Sequence, residues 1–254
     1  MKITLIQSDL HWENITANLA TFEEKIWHLS GQTDVIVLPE MFNTGYSMDT
    51  SLAEPMNLTT FKWLRQMANQ TGAVVTGSYM VSEKEHYYNR MVWMRPDGNF
   101  SFYDKKHLFG LAGENQFFTS GNQKIVVEWK GWRFCPMICY DLRFPVWSRN
   151  ESPFYDCVLY IASWASPRHL AWQTLLQARA IENLSYSIGV NRVGKDAENH
   201  EFLGGSAVYA FSGETIFEAT HQEIIQTCVL DKEALADYRN HFRFHEDADA
   251  FSLS

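Results

Sequence analysis

A chain of 254 residues, 46% hydrophobic and 15% aromatic, can bury a sizeable core without cross-links, and its composition excludes a disordered protein. Its 21 basic and 30 acidic residues leave a formal net charge of -9, which argues against nucleic acid or an anionic membrane as the main partner. A small anionic ligand is still compatible, because a local pocket can oppose the overall charge.

Residues 3–7 alternate like a strand, and the opening stretch is too short and polar for a signal peptide. Residues 15–29 place Leu19, Phe22, Ile26 and Leu29 at helical spacing, and 34–38 is a buried strand, Val-Ile-Val-Leu. A second helix is expected over 60–69, with Phe61, Leu64 and Ala68 on one face, before 73–79 returns to strand. This βαβαβ rhythm implies a sheet with helices packed on it.

The middle of the chain reads differently. Strands at 88–94 and 100–104 flank the turn Arg95-Pro96-Asp97-Gly98-Asn99, and strands at 125–129 and 132–138 flank Lys130-Gly131. A strand at 158–162 follows, then a helix from Ser166-Pro167 to about Asn183 with Leu170, Leu176, Ala180 and Leu184 on its face. Strands are expected at 185–191, 206–211, 215–218 and 224–230, with a turn at Phe211-Ser212-Gly213-Glu214. A short helix near 232–238 and a polar tail from about residue 240 close the chain. Linkers, repeats and low-complexity segments are absent, so a single domain over 1–254 is expected, with a mixed sheet or two sheets and helices outside.

No stretch approaches the roughly 20 apolar residues of a membrane span. Cys135 and Cys139 share a predicted strand, about 13 Å apart at about 3.3 Å per residue, beyond disulfide reach. With Cys157 and Cys228 they form no CxxC pair and no zinc-like spacing, and a reduced cytoplasmic protein is the simplest reading.

Three stretches carry candidate chemistry. The apolar run 132–138 stops at Cys139, and Pro145 follows as a residue suited to a first helical turn. A sulfur presented at a helix N-terminus would be favoured as thiolate. Glu40 lies just past the carboxyl end of a buried strand, where open α/β sheets place ligands, and a carboxylate there can act as a general base. Lys105 and Lys106 follow another strand, and an ammonium beside a developing oxyanion stabilises it, but spacing does not settle which lysine points inward. His107 offers a competing Cys–His scheme, although a chain with nine histidines places one near most motifs.

Leu38-Pro39-Glu40-Met41-Phe42, Tyr103-Asp104-Lys105-Lys106-His107-Leu108-Phe109 and Ile138-Cys139-Tyr140-Asp141-Leu142-Arg143-Phe144-Pro145 resemble, in order, the Glu, Lys and Cys motifs of the nitrilase (carbon–nitrogen hydrolase) superfamily. The similarity spans Lys2 to about Leu230; Asp104 departs from the arginine that many members carry before the lysine. The motif selects Lys105, two residues before His107-Leu108, and Glu114 resembles the second glutamate that orients the lysine.

The resemblance implies an α-β-β-α sandwich of two mixed sheets with helices outside, dimers or larger homo-oligomers, and chemistry needing neither metal nor cofactor. It implies that Cys139 attacks an amide carbonyl, that Glu40 takes the proton, and that Lys105 and the Tyr140 N–H hold the oxyanion. Pro39-Glu40-Met41-Phe42-Asn43-Thr44-Gly45-Tyr46 and Ala162-Ser163-Trp164-Ala165-Ser166-Pro167-Arg168 further resemble the ω-amidase branch, which acts on small 2-oxo acid amides. Arg168, in the first turn of the helix begun by Ser166-Pro167, would bind the far carboxylate. Phe42, Tyr46 and Trp164 would wall the pocket, and Asp141 and Arg143 would brace the nucleophile turn. His200-Glu201 and His245-Glu246-Asp247 read as surface residues rather than metal sites. Rival readings are a nitrilase proper, an N-carbamoyl amino acid hydrolase, and a non-catalytic binding member.

Overall fold

A computed structural model describes residues 1–249. The strands are β1 (Lys2–Gln7), β2 (Val35–Val37), β3 (Glu54–Pro55), β4 (Val74–Glu83), β5 (His86–Met94), β6 (Phe100–Asp104), β7 (Val127–Trp129) and β8 (Trp132–Ile138), followed by β9 (Cys157–Ala162), β10 (Tyr186–Asn191), β11 (Val193–Lys195), β12 (Glu201–Leu203), β13 (Ala207–Tyr209), β14 (Thr215–Glu218) and β15 (Ile224–Val229). The helices are α1 (Ile15–Ile26), α2 (Thr59–Thr71), α3 (Glu114–Phe117), α4 (Pro145–Ser148), α5 (His169–Asn183) and α6 (Lys232–Phe242). None is long and apolar enough to cross a membrane.

The first sheet runs β15-β1-β2-β4-β5-β6, with β3 beside β4, and the second runs β14-β13-β10-β9-β8-β7. Both mix parallel and antiparallel pairs: β1, β2 and β4 are parallel, as the βαβαβ rhythm requires, while β4-β5-β6 is a meander. Side chains on one strand alternate between two cores. Ile3, Leu5, Val35 and Val37 face the second sheet, and Ile6, Ile36 and Leu38 face α1 and α2. Across the inter-sheet core Trp93 of β5 meets Phe134 of β8 with ring centroids 4.9 Å apart. Helix α5 closes the second sheet, and a side chain at Gly189 would collide with its Leu176 and Trp172. The layers are therefore α-β-β-α, an α/β sandwich with helices outside.

Local chemistry explains most boundaries. Asn14 and Asp231 cap α1 and α6 through side-chain oxygens, and α2 stops at Gly72 in the left-handed region. The Lys130-Gly131 turn is a hairpin whose two residues both have positive φ. Two expectations fail at the end of the chain and near Arg192. Helix α6 continues to Phe242 and a 3-10 turn spans Phe244–Asp247, so no tail begins at 240. Residues 250–254 of that tail lie outside the described residues. The β11-β12 hairpin was not expected, because three-residue strands carry too little periodicity to register.

Candidate active site

Glu40 follows β2, Lys105 follows β6 and Cys139 follows β8, so the carboxyl ends of strands from both sheets converge. The segment after β2 is laid along β4: Leu38 N–H donates to Thr76 O (2.8 Å) and Phe42 N–H to Ser78 O (3.1 Å). Gly77 permits this approach, since a Cβ there would lie 2.9 Å from both Leu38 Cβ and Phe42 Cδ1. Glu40 is thereby fully buried. Its Oε1 accepts from Lys105 Nζ (2.8 Å) and Asn89 Nδ2 (2.9 Å), and its Oε2 accepts from the Ser163 amide (2.8 Å) of the other sheet.

Lys105 is the inward lysine; Lys106 instead places its ammonium over Trp147, 5.5 Å from the ring centroid. Lys105 Nζ also meets both oxygens of Glu114, at 3.0 and 2.8 Å, and Glu114 accepts from the Phe109 amide (2.6 Å). Burial alone would lower the lysine pKa, but Glu114 and Glu40 overcome it and hold the ammonium well above its ordinary range. The cation is therefore permanent at neutral pH.

Cys139 opens a 3-10 turn, Cys139–Arg143, rather than the helix that Pro145 begins; α4 is a separate element. The expectation of a thiolate favoured by a helix dipole is corrected accordingly. Burial first, then the facing Glu40 carboxylate, push the thiol pKa well above its ordinary range, against the opposing pull of Lys105. The resting sulfur is a thiol beside a base. Cys139 has φ of 46°, an uncommon left-handed conformation for a residue with a Cβ. Asp141 holds the turn in that shape, accepting from Ile138 N–H (3.0 Å), Tyr103 O–H (2.7 Å) and His107 N–H (3.0 Å).

Of these groups, Cys139 opens onto a cavity of about 850 Å³. Tyr46, Tyr140, Trp164 and Arg168 line it with Cys139. Phe42 does not: it lies on the helix-facing side of the first sheet, in edge contact with Phe22 and beside Trp63, and is corrected to a core residue. Arg143, expected only to brace the turn, also lines the cavity, stacked 5.0 Å from the Trp164 ring centroid, while Arg168 lies 4.9 Å from that of Phe109. Neither guanidinium has a carboxylate partner among the described residues. Arg168 sits in a 3-10 turn, Ser166–Arg168, just before α5, and its carbonyl accepts from the Trp164 indole (2.8 Å).

His107 is outside the lining; its Nδ1 pairs with Asp141 (2.8 Å) and its ring stacks on Phe144. Among the described residues no hydrogen bond joins Cys139 to a histidine. His200 pairs with Asp196 (3.0 Å) at the cavity rim. The Tyr46 hydroxyl is buried without a hydrogen-bond partner among the described residues, 5.3 Å separating its ring centroid from Lys105 Nζ. Chemically, the arrangement offers a thiol beside a carboxylate, a fixed cation, and free guanidinium groups a short way off. Asn89 and Ser163 went unread because a buried strand asparagine and a backbone amide leave no periodic signal.

The carbon–nitrogen hydrolase family model matches residues 2–240. The chain is 43% identical over 254 residues to the ω-amidase YafV of Escherichia coli K12, covering 100% of this chain and 98% of that protein. It is 32% identical to the 2-oxoglutaramate amidase of Bacillus subtilis, covering 96% of each. Among solved structures, a carbon–nitrogen hydrolase superfamily protein of Xanthomonas campestris, with an arsenic adduct in its active site, matches with a TM-score of 0.98 at 39% identity, covering 100% of this chain and 99% of that one.

Proposed function

The chain belongs to the carbon–nitrogen hydrolase family, and from that premise we propose that it hydrolyses the terminal amide of a small carboxylated amide, of the 2-oxoglutaramate or 2-oxosuccinamate type, to acid and ammonia. Cys139 attacks the amide carbonyl as Glu40 takes the thiol proton. Lys105 and the Tyr140 N–H stabilise the oxyanion. Tyr140 suits that task, since the first amides of a one-turn helix have no acceptor inside it. Glu40 then gives its proton to the nitrogen, the C–N bond breaks, ammonia leaves and a thioester remains on Cys139. Water attacks the thioester as Glu40 accepts its proton; the C–S bond breaks, the acid leaves, and the proton returns to sulfur.

Glu114 keeps Lys105 in place, and Arg168 with Arg143 receives the far carboxylate. Trp164 and Tyr46 set the width between the two ends. One observation carries the reading: a buried Glu40–Lys105–Glu114 cluster beside Cys139, which lines a cavity together with two arginines that have no carboxylate partner among the described residues. A homodimer or larger homo-oligomer in the cytoplasm belongs to the same proposal; sedimentation showing only monomer would remove the first part.

The test is ammonia release from 2-oxoglutaramate, 2-oxosuccinamate, glutamine, a simple nitrile and an N-carbamoyl amino acid, each with wild type and Cys139→Ala. Release from the 2-oxo amides that depends on Cys139 supports the proposal. Release only from the nitrile or the carbamoyl compound overturns the substrate, and turnover by Cys139→Ala overturns the mechanism. Silence across the panel would favour a non-catalytic member.

A further inference from the structure

Asn89 is fully buried on β5, away from the cavity lining, yet its side chain enters the centre of the charged cluster. Nδ2 lies 2.9 Å from Glu40 Oε1 and 3.3 Å from Glu114 Oε1. Lys105 Nζ stands between the same two oxygens, at 2.8 and 3.0 Å. Two nitrogens and two oxygens thus alternate around a closed ring, each nitrogen donating to both oxygens. The amide orientation follows from the chemistry, since an oxygen in the Nδ2 position would face two carboxylate oxygens with no proton to share. Oδ1 is left buried without a partner among the described residues. The same residue fixes the lysine stem, because the Asn89 carbonyl accepts the Lys105 amide (3.0 Å).

The ring has a charge problem that Asn89 answers. One ammonium serves two carboxylates, and the titratable groups facing Glu40 are Lys105 from the end of β6, Glu114 from α3, Cys139 from the turn after β8 and Tyr46 from the loop after β2. Two carboxylates gathered on one cation repel each other, and a second donor shared between them offsets that repulsion. Resting on the catalytic reading above, we propose that Asn89 is a positioning residue whose Nδ2, bridging Glu40 and Glu114 beside Lys105, keeps Glu40 available as the acceptor of the Cys139 proton.

The experiment is the pH profile of kcat/KM for Asn89→Ala and the isosteric Asn89→Asp, with circular dichroism and thermal melts as fold controls. Asn89→Ala should lower kcat near neutral pH by about 10- to 100-fold, the usual cost of losing a supporting hydrogen bond behind a reacting group. KM should stay near wild type, because the residue does not line the cavity. The acid limb of the profile should move to higher pH, so that raising the pH restores part of the loss. Asn89→Asp, which exchanges the donor for a third carboxylate, should move the limb further. Should Asn89→Ala fail to fold, the aspartate variant carries the test alone. An acid limb unmoved in a folded variant, whatever the rate, overturns the proposal and leaves Asn89 a packing residue. Failure of the catalytic reading looks different: Cys139→Ala would then keep wild-type turnover.

Discussion

Cys139 is a buried thiol in an uncommon left-handed backbone conformation, and in the proposed mechanism it is the neighbouring Glu40 that makes it a nucleophile. Because burial and Glu40 both oppose the thiolate, the proposed attack has the proton leave during it and not before it. Glu40→Gln keeps the shape and removes the base, and should lower kcat about 10²- to 10⁴-fold in an ammonia-release assay, with the far-UV spectrum unchanged. A smaller loss would move the base elsewhere. In the same proposal Arg168 and Arg143, which line the cavity, receive the ligand carboxylate. Each charge-assisted hydrogen bond contributes about 1.5–3 kcal/mol, so Arg168→Ala or Arg143→Ala should raise KM for a carboxylated amide by about 10- to 100-fold. A neutral amide of the same length should be nearly indifferent to either change. Equal effects on both substrates would make the arginines packing residues.

The element that does most for the site is the turn Cys139–Arg143, and Asp141 is its brace. Asp141→Asn turns an acceptor of several N–H and O–H groups into a mixed donor, and should cost about 1–3 kcal/mol of stability in urea titrations while lowering kcat. His107→Ala removes only one of those donors and a stacking partner, and should retain kcat within about tenfold of wild type; collapse to the Cys139→Ala level would restore the Cys–His scheme. Much of this was legible beforehand. Period-two runs and hairpin turns located the sheets, and three spaced motifs located Glu40, Lys105 and Cys139. Phe42 keeps the parity of Ile36 and Leu38 and shares their helix-facing core; reading it with the Glu40 motif, instead of with the strand's alternation, misplaces it. The choice of Lys105 over Lys106 depends on the β5–β6 register, which ends with Arg90 opposite Asp104 and so points the next residue inward. Arg143 and Asn89 depend on contacts between elements far apart in the chain, and no local pattern encodes those.

At the scale of the whole molecule, the site exists only where the two sheets are docked. Glu40, Lys105, Asn89 and Glu114 come from the first sheet and its connections, Cys139, Ser163 and Trp164 from the second. The Ser163 amide donating to Glu40 is a direct tie between them. Between them lies the apolar layer, where Trp93 and Phe134 are among the larger buried side chains. The Trp93 indole nitrogen has no hydrogen-bond partner among the described residues, so truncating it removes packing and no polar contact. Trp93→Ala should therefore cost about 3–5 kcal/mol, read as a lower urea midpoint with an unchanged slope. Its kinetic effect separates two ideas of how the site is built. If inter-sheet packing sets the distance from Cys139 to Glu40, kcat should fall well below the denaturant transition, where the variant is still folded, with KM little affected. A variant that unfolds earlier yet keeps wild-type kcat until it does so would show that the hydrogen-bonded cluster itself, with Ser163 as its cross-tie, holds the reacting groups in register.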